Sequence, residues 1–393
     1  MRLAFTSRRP FHDGLLEQPL PENDQVNMAY MFGAEYFSFF TLKKLSSVQL
    51  VQKLEPYDII FIPLDVRDIE TVKLIVGASN GRYIIYSEGG IADYQLLSPA
   101  DQWHYLQILR QARAVFLYWE KYLPFFQTIT SSPVFYLPYP FFVDKVKPFQ
   151  QPLADRPNRF SLPAGLAGGS RNGLCSLLAA RRLLDENLFT EVDCWLAPAN
   201  FRQDAEATYQ ILTDRPLQVA WPTARLGLRK WFLKLPIDYR PLLKLRRVFK
   251  SDSHPEAVAS ADTATVQQGP ITLLRRHNWS AYLQRLGHNR LVLDLNNRPT
   301  VGRNALDCAA LGIPCLSTDY SDLQVKLFPQ VTLPDGWDIP EVVRYGSLLQ
   351  DHGFYAEVTQ EAARNLQEFL PERFMERFNK ILTEYPEIWE PAK

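Results

Sequence analysis

Short apolar runs alternate with stretches of helical spacing along most of this chain. Arg2 to Thr6 is apolar enough for a first strand and opens into a polar turn, Ser7-Arg-Arg-Pro-Phe-His12-Asp13-Gly14. An aromatic-rich stretch, Tyr30 to Phe40, follows and shows neither period cleanly. Leucine and valine from Leu42 to Leu54 then recur at helical spacing. Tyr57 to Pro63 is nearly all apolar, as a strand covered on both faces would be. The alternation continues through a helix at Ile69–Val76, a strand at Gly81–Tyr86, a helix at Gln102–Ala112 and a strand at Ala114–Tyr118. A helix at Lys121–Ile129 and a strand at Val134–Leu137 complete it. Strand and helix in turn predict a parallel, doubly wound sheet that ends near residue 140.

The next stretch changes character. Prolines 138, 140, 148, 152 and 157 mark a linker over residues 141–158. A second α/β pattern begins with a strand at Arg159–Leu162 and a glycine-rich loop at 164–173, then a helix at Leu174–Asp185 and a strand at Glu191–Leu196. A helix at Gln203–Leu212 and strands at Leu217–Ala220 and Ile271–Leu274 follow, with a helix at Trp279–Leu286 and a strand at Arg290–Asp294 beyond them. The stretch Arg298 to Thr318 reads as a loop, a short helix and a buried strand. Gly302 suits the start of that helix and Gly312 its end, and Pro314 stops it from continuing. Helical spacing from Glu357 to Leu382 closes the pattern. The expected organisation is a first domain at 1–140, the linker, a second domain at 159–370 and a terminal helical segment at 371–393.

Charge changes this picture in one place. The chain balances 43 basic against 43 acidic residues, so it is not a polyelectrolyte binder as a whole. Between Arg225 and Lys250, however, nine basic residues face a single acid, Asp238, with Trp231, Phe232, Tyr239 and Phe249 interleaved. This segment lies in an insertion at 223–268, whose second part, Ser251 to Gln268, has the composition of a flexible stretch. A solvated face, an anionic membrane surface and a nucleic acid each fit such a segment. The four cysteines show no Cys-x-x-Cys spacing, which speaks against zinc and for buried free thiols in a reducing compartment. The first residues carry too short an apolar run for a signal peptide, and a cytoplasmic protein is expected, peripheral to a membrane if the basic segment docks there.

The candidate chemistry sits at loops and one helix start. A helix N-terminus has free backbone N–H groups, so Gly302, with Arg303 beside it, is a ready anion site; an ordinary crossover helix is the alternative. Glu88 follows a strand and precedes Gly89 and Gly90, where a ligand can approach closely. It fits a general base, or else a solvated turn residue. His12 lies on another such loop and is the second candidate base.

Three segments resemble the GT-B glycosyltransferases, and more closely their family 4-like, glycogen-synthase-related group. Asp307-Cys-Ala-Ala-Leu-Gly-Ile-Pro-Cys-Leu-Ser is similar to that group's E-A-M-A-x-G-x-P-V-V-A-S element. Gly168-Gly-Ser-Arg171-Asn172-Gly173 resembles its G-R…R-K-G segment, and Tyr136 to Asp144 with Phe149 its domain junction. The resemblance implies two Rossmann-like domains facing across a cleft, and transfer of a sugar from a nucleoside diphosphate, UDP above all, to an acceptor hydroxyl without cofactor or metal. It places Arg171, Asn172, Gly302, Arg303 and Asn304 near the diphosphate and Asp307 at the ribose. The acceptor, a saccharide, lipid or nucleic acid, stays open. The group's usual sugar-facing glutamate would stand eight residues before Asp307, where this chain has Pro299. A GT-B protein that binds the nucleotide-sugar without turnover is therefore the alternative.

Overall fold

The computed structural model describes residues 1–20, 24–64, 68–87, 94–95, 97–163, 172–196, 201–219, 265–275 and 278–390. The first part of the chain runs β1 (Leu3–Ser7), α1 (Asp24–Phe32), β2 (Glu35–Ser38), α2 (Phe39–Leu42), α3 (Ser47–Leu54), β3 (Ile59–Pro63), α4 (Ile69–Ser79), β4 (Tyr83–Ser87), α5 (Pro99–Gln111), β5 (Val115–Leu117), α6 (Leu123–Ile129) and β6 (Val134–Tyr136). Its strands form one parallel sheet in the order β2-β1-β3-β4-β5-β6.

Both faces of this sheet are covered, which is why its strands are mostly apolar rather than alternating. Successive residues still point to opposite faces. Ile60, Ile62 and Ile85 enter one cluster with the helices α3, α4 and α5. Phe5, Phe61, Tyr86 and Phe116 enter a second, strongly aromatic cluster on the other face.

The second part runs β7 (Arg159–Leu162), α7 (Gly173–Asp185), β8 (Glu191–Leu196), α8 (Phe201–Thr213), β9 (Thr265–Gln268), β10 (Ile271–Arg275), α9 (Trp279–Leu286), β11 (Leu291–Asp294), α10 (Arg303–Leu311), β12 (Cys315–Thr318), α11 (Asp322–Leu327), β13 (Thr332–Leu333), α12 (Ile339–Leu348), α13 (His352–Leu366) and α14 (Pro371–Glu384). Its sheet has the order β13-β12-β11-β7-β8-β10-β9, parallel except for the edge pair β9 and β10. Two doubly wound sheets, each with its own core, are the two Rossmann-like domains expected from the sequence.

α14 does not stay with the second domain. Phe374, Phe378 and Ile381 pack into the aromatic cluster of the first sheet, where the Phe378 ring lies 4.4 Å from that of Phe32. The chain therefore crosses between the domains twice, and Phe141 N–H donates to Phe369 C=O at 2.8 Å where the two crossings meet. The linker is no loose tether. Val146 is buried, and the guanidinium of Arg156, 3% exposed, donates to Leu311 C=O (2.7 Å), Gly312 C=O (2.8 Å), Gln151 C=O and Tyr355 Oη. A cation there meets the negative end of α10.

Three expectations are corrected. The helical spacing at Leu42–Leu54 is two helices, because Ser46 caps the second one: its Oγ accepts from Gln49 N–H while Gln49 Oε1 accepts from Ser46 N–H. The strand expected at Leu217–Ala220 is absent from its described part, Leu217 to Val219, since β9 already holds that edge of the sheet. Thr265–Gln268, read as the end of a flexible stretch, is that edge strand, fixed by its ladder to β10. The basic segment Arg225–Lys250 lies outside the described residues. Among those described, no helix is long and apolar enough to cross a membrane.

Candidate functional site

In the second sheet, β7 leads outward to β8 on one side, and β11 returns on its other side. The crevice beyond the carboxyl ends of β7 and β11 is thus a topological switch point, where open α/β sheets collect ligands. Two helix starts converge on it. α7 begins at Asn172, whose backbone is left-handed at φ 48° and whose Nδ2 donates to Gly336 C=O at 3.1 Å. At Gly336 a Cβ would come within 2.6 Å of Asn172 Nδ2 and 3.3 Å of Leu295 Cβ, so a side chain there would displace the Asn172 amide from its bond to this loop.

α10 begins on the other side. Gly302 caps it at φ 84°, a region that side chains disfavour, and the first N–H groups of the helix are left for a ligand or solvent. The strip before it is fixed by neighbours: Thr300 N–H donates to Tyr320 C=O (2.9 Å), while Asp322 N–H donates to Thr300 C=O (3.2 Å) and Leu323 N–H to Val301 C=O (3.1 Å). Arg303 Nε donates to Asp307 Oδ1 at 3.3 Å, one turn along the helix. Its guanidinium lies 5.1 Å from the Phe141 ring and 5.8 Å from the Trp279 ring, within cation–π range of both. Asn304 Nδ2 donates to Asp294 Oδ2 at 2.8 Å, and Tyr282 Oη donates to Asn304 Oδ1 at 3.4 Å. Asp294 and Asp307 are 3% and 2% exposed, and Asp294 Oδ1 has no hydrogen-bond partner among the described residues.

The rest of α10 is small and apolar, which brings its axis close to the sheet. Burial pushes the Cys308 thiol well above its ordinary value, with Cys315 beside it adding to the effect. Both are packing groups, and all four cysteines are buried and free.

The structure thus brings Gly302, Arg303, Asn304 and Asp307 onto one helix start, with Asn172 at the second helix start of the same crevice. Arg171 and Glu88 lie outside the described residues. His12 is exposed in the first domain, on the loop after β1. That loop leaves the first sheet's own switch point, between β1 and β3, and Arg8 bridges the two strand ends by pairing with Asp68 at 2.6 Å. The sequence reading did not single out Asp294, Tyr282, Trp279 or Phe141. A signal for Asp294 was present: an apolar strand ending in Asp294-Leu-Asn-Asn sets polar groups at a sheet's carboxyl edge.

No family model matches the chain, and no curated protein matches it in sequence. Solved structures match over nearly its whole length. HepE from Anabaena, in complex with UDP and glucose, has a TM-score of 0.61 and 11% identity, over 98% of this chain and 99% of that one. A UDP-forming α,α-trehalose-phosphate synthase from Burkholderia xenovorans has a TM-score of 0.58 and 10% identity, over 98% and 94%. A glycosyltransferase from Rickettsia africae ESF-5 has a TM-score of 0.59 and 10% identity, over 94% and 89%. The fold is therefore that of the GT-B glycosyltransferases, with two Rossmann-like domains in one chain.

Proposed function

We propose that this protein transfers a sugar from a nucleoside-diphosphate donor, UDP above all, to an acceptor hydroxyl in the cleft between its domains. The observation that carries the reading is the start of α10: a glycine-capped helix N-terminus at the second sheet's switch point, flanked by an arginine and a buried carboxylate, in a chain shaped like proteins that handle UDP and sugars. The bond that breaks joins the anomeric carbon to the diphosphate, so the main task is to stabilise charge developing on that leaving group. The α10 N–H groups, Arg303 and Arg171 would do so without a metal, Asn172 and Asn304 would line the same diphosphate, and Asp307 would hold the ribose hydroxyls. Glu88, or His12 in its place, would accept or orient the acceptor proton. Closure of the domains would exclude water, whose attack would waste the donor.

The test is release of nucleoside diphosphate from a panel of UDP-, GDP- and ADP-sugars, with saccharide, lipid and nucleic-acid acceptors in parallel and with no added metal. Lack of binding of any nucleoside diphosphate by calorimetry would sink the reading. Pro299 motivates a second one, a nucleotide-sugar-binding protein without turnover. Tight donor binding with no transfer to any acceptor would favour that.

A further inference from the structure

Val301 belongs to two cores at once. It packs against the main cluster of the second domain and also against the aromatic cluster of the first, which contains Trp119 and Leu137. The strip that carries it, Thr300 to Gly302, runs straight into the first turn of α10 and is hydrogen-bonded to the start of α11 through Asp322 and Leu323. α11 in turn reaches the first domain through the Lys326 side chain. Lys326 Nζ donates to Tyr136 Oη at 2.7 Å and lies 3.0 Å from Glu120 Oε2 and 3.2 Å from Asp322 Oδ2. Tyr136 ends β6 and Glu120 follows β5, so two of the three partners belong to the first domain.

This contact differs from an ordinary surface ion pair, which contributes little because both side chains give up freedom for a screened attraction. The Lys326 side chain is only 24% exposed. Desolvation opposes its charge, yet Tyr136 and Asp322 outweigh it and hold the pKa above the ordinary value. The helix beneath is itself anchored, since Asn365 Nδ2 donates to Lys326 C=O at 2.9 Å. A displacement of the first domain is thus carried through a braced helix to the strip before Gly302.

We propose that Lys326 is a positioning residue that holds the first domain in register with the strip Thr300–Gly302, so that the donor helix start and the acceptor side of the cleft meet in one geometry. The role in transfer rests on the glycosyltransferase reading; the role in domain register does not. With Lys326 in place, one domain arrangement is favoured. Without it, α10 keeps its bond to Asp294 through Asn304, while Val301, α14 and the bond from Lys121 Nζ to Asp319 C=O still join the domains but hold the opposite wall of the cleft less tightly. Removing the latch should therefore spare nucleotide binding and impair the step that needs both domains.

The experiment uses the full chain with dyes at Gln52→Cys and Gln360→Cys, both exposed and one on each domain. Interdomain distances by single-molecule energy transfer, UDP affinity by calorimetry, and kcat and KM with UDP-glucose are compared for the unaltered protein, Lys326→Met and Lys326→Arg. Lys326→Met should broaden the distance distribution, leave UDP affinity within about twofold and lower kcat on the order of tenfold, the range of a typical coupling between sites. Lys326→Arg should restore part of each. A distance distribution for Lys326→Met identical to that of the unaltered protein would overturn the proposal, and a lower melting temperature alongside it would reduce the lysine to a stabilising contact. If the unaltered protein binds UDP but transfers nothing, the distance measurement still decides the latch, and only the catalytic reading falls.

Discussion

A Cβ atom placed on Gly302 would lie 1.8 Å from the hydroxyl of Ser321. The two residues cap the starts of successive helices, α10 and α11, and Thr300, two residues before Gly302, forms a bridge with Ser321. Gly302→Ala should therefore carry two costs, a left-handed backbone at φ 84° and a clash with Ser321. The first alone costs about 1–3 kcal/mol. We expect a lower denaturation midpoint and loss of UDP binding by calorimetry. Adding Ser321→Gly should relieve the clash but not the backbone strain, so stability should return only in part. Full recovery would mean that the conformation at position 302 is unimportant.

Arg303 and Asp307 act as one unit. The carboxylate is buried and holds Nε of an arginine whose guanidinium already lies near two aromatic rings. Arg303→Ala is expected to weaken UDP binding about tenfold, or ~1.4 kcal/mol. Asp307→Asn should weaken it too, because the arginine loses its anchor and the ribose hydroxyls lose their proposed acceptor. Residues that share one interaction are not additive, so the double variant should fall short of the summed effects. Strict additivity in calorimetry would show that the contact between the two side chains carries none of the effect.

Arg156 gives a test of stability apart from the site. Its guanidinium satisfies carbonyls of Leu311 and Gly312 where α10 ends, and a methionine could fill the space but not donate. Leaving a buried acceptor unpaired costs about 1–3 kcal/mol, and Gly312 C=O keeps Tyr355 Oη as a donor, so Arg156→Met should lower unfolding free energy by about 1–3 kcal/mol in denaturant titration. UDP affinity of the folded fraction should be unchanged, because the α10 start is bonded through other residues. A neutral effect on stability would mean that solvent reaches those carbonyls.

Strands such as Ile59–Pro63 and Tyr83–Ser87 were legible because burial on both faces leaves a nearly continuous apolar run. The ends of α10 were legible because helix caps are local and glycine has few other reasons to stand there. β2 was not, since aromatic residues crowd Tyr30 to Phe40 and helix and strand periods overlap within ten residues or so of each other. The helical spacing of α14 could be read, but not the sheet that it covers. That depends on Phe374 and Phe378 meeting Phe32 from the other end of the chain, and no local pattern encodes such a contact. Asp294 and Tyr282 join the site through Asn304, a relation that exists in space and not along the sequence.

Phe378 tests the return of α14 to the first domain. Its ring meets Phe32, Phe116 and Trp389 within the aromatic cluster and is 4% exposed. Truncating a buried phenylalanine typically costs about 3–5 kcal/mol. Phe378→Ala should lower stability by that order, and hydrogen exchange should show faster opening in β1, β3 and α1 rather than in the second sheet. Protection lost mainly in the second sheet would place the helix wrongly.

Alkaline pH should loosen this fold through its phenols. Burial raises the pKa of Tyr83, Tyr105 and Tyr136 above the ordinary 10.0, and pushes Tyr355 up to about 12. A raised pKa means that the folded chain keeps a proton that the unfolded chain has released. The unfolded state then binds fewer protons, and stability falls as pH rises. The contribution is complete below the unfolded value and is lost through the folded one, so the melting temperature should hold through neutrality and drop above about pH 10. Lys326 acts in the same direction, because its pKa is also raised and its bonds to Tyr136 and Glu120 need the charge. Tyr136→Phe should make the alkaline drop shallower, since one shifted phenol is removed. Ultraviolet titration of tyrosinate provides the check: in the folded protein a fraction of the 18 tyrosines should resist ionisation until the chain unfolds. If all of them ionise together near their ordinary value while the fold persists, the buried phenols do not carry this dependence.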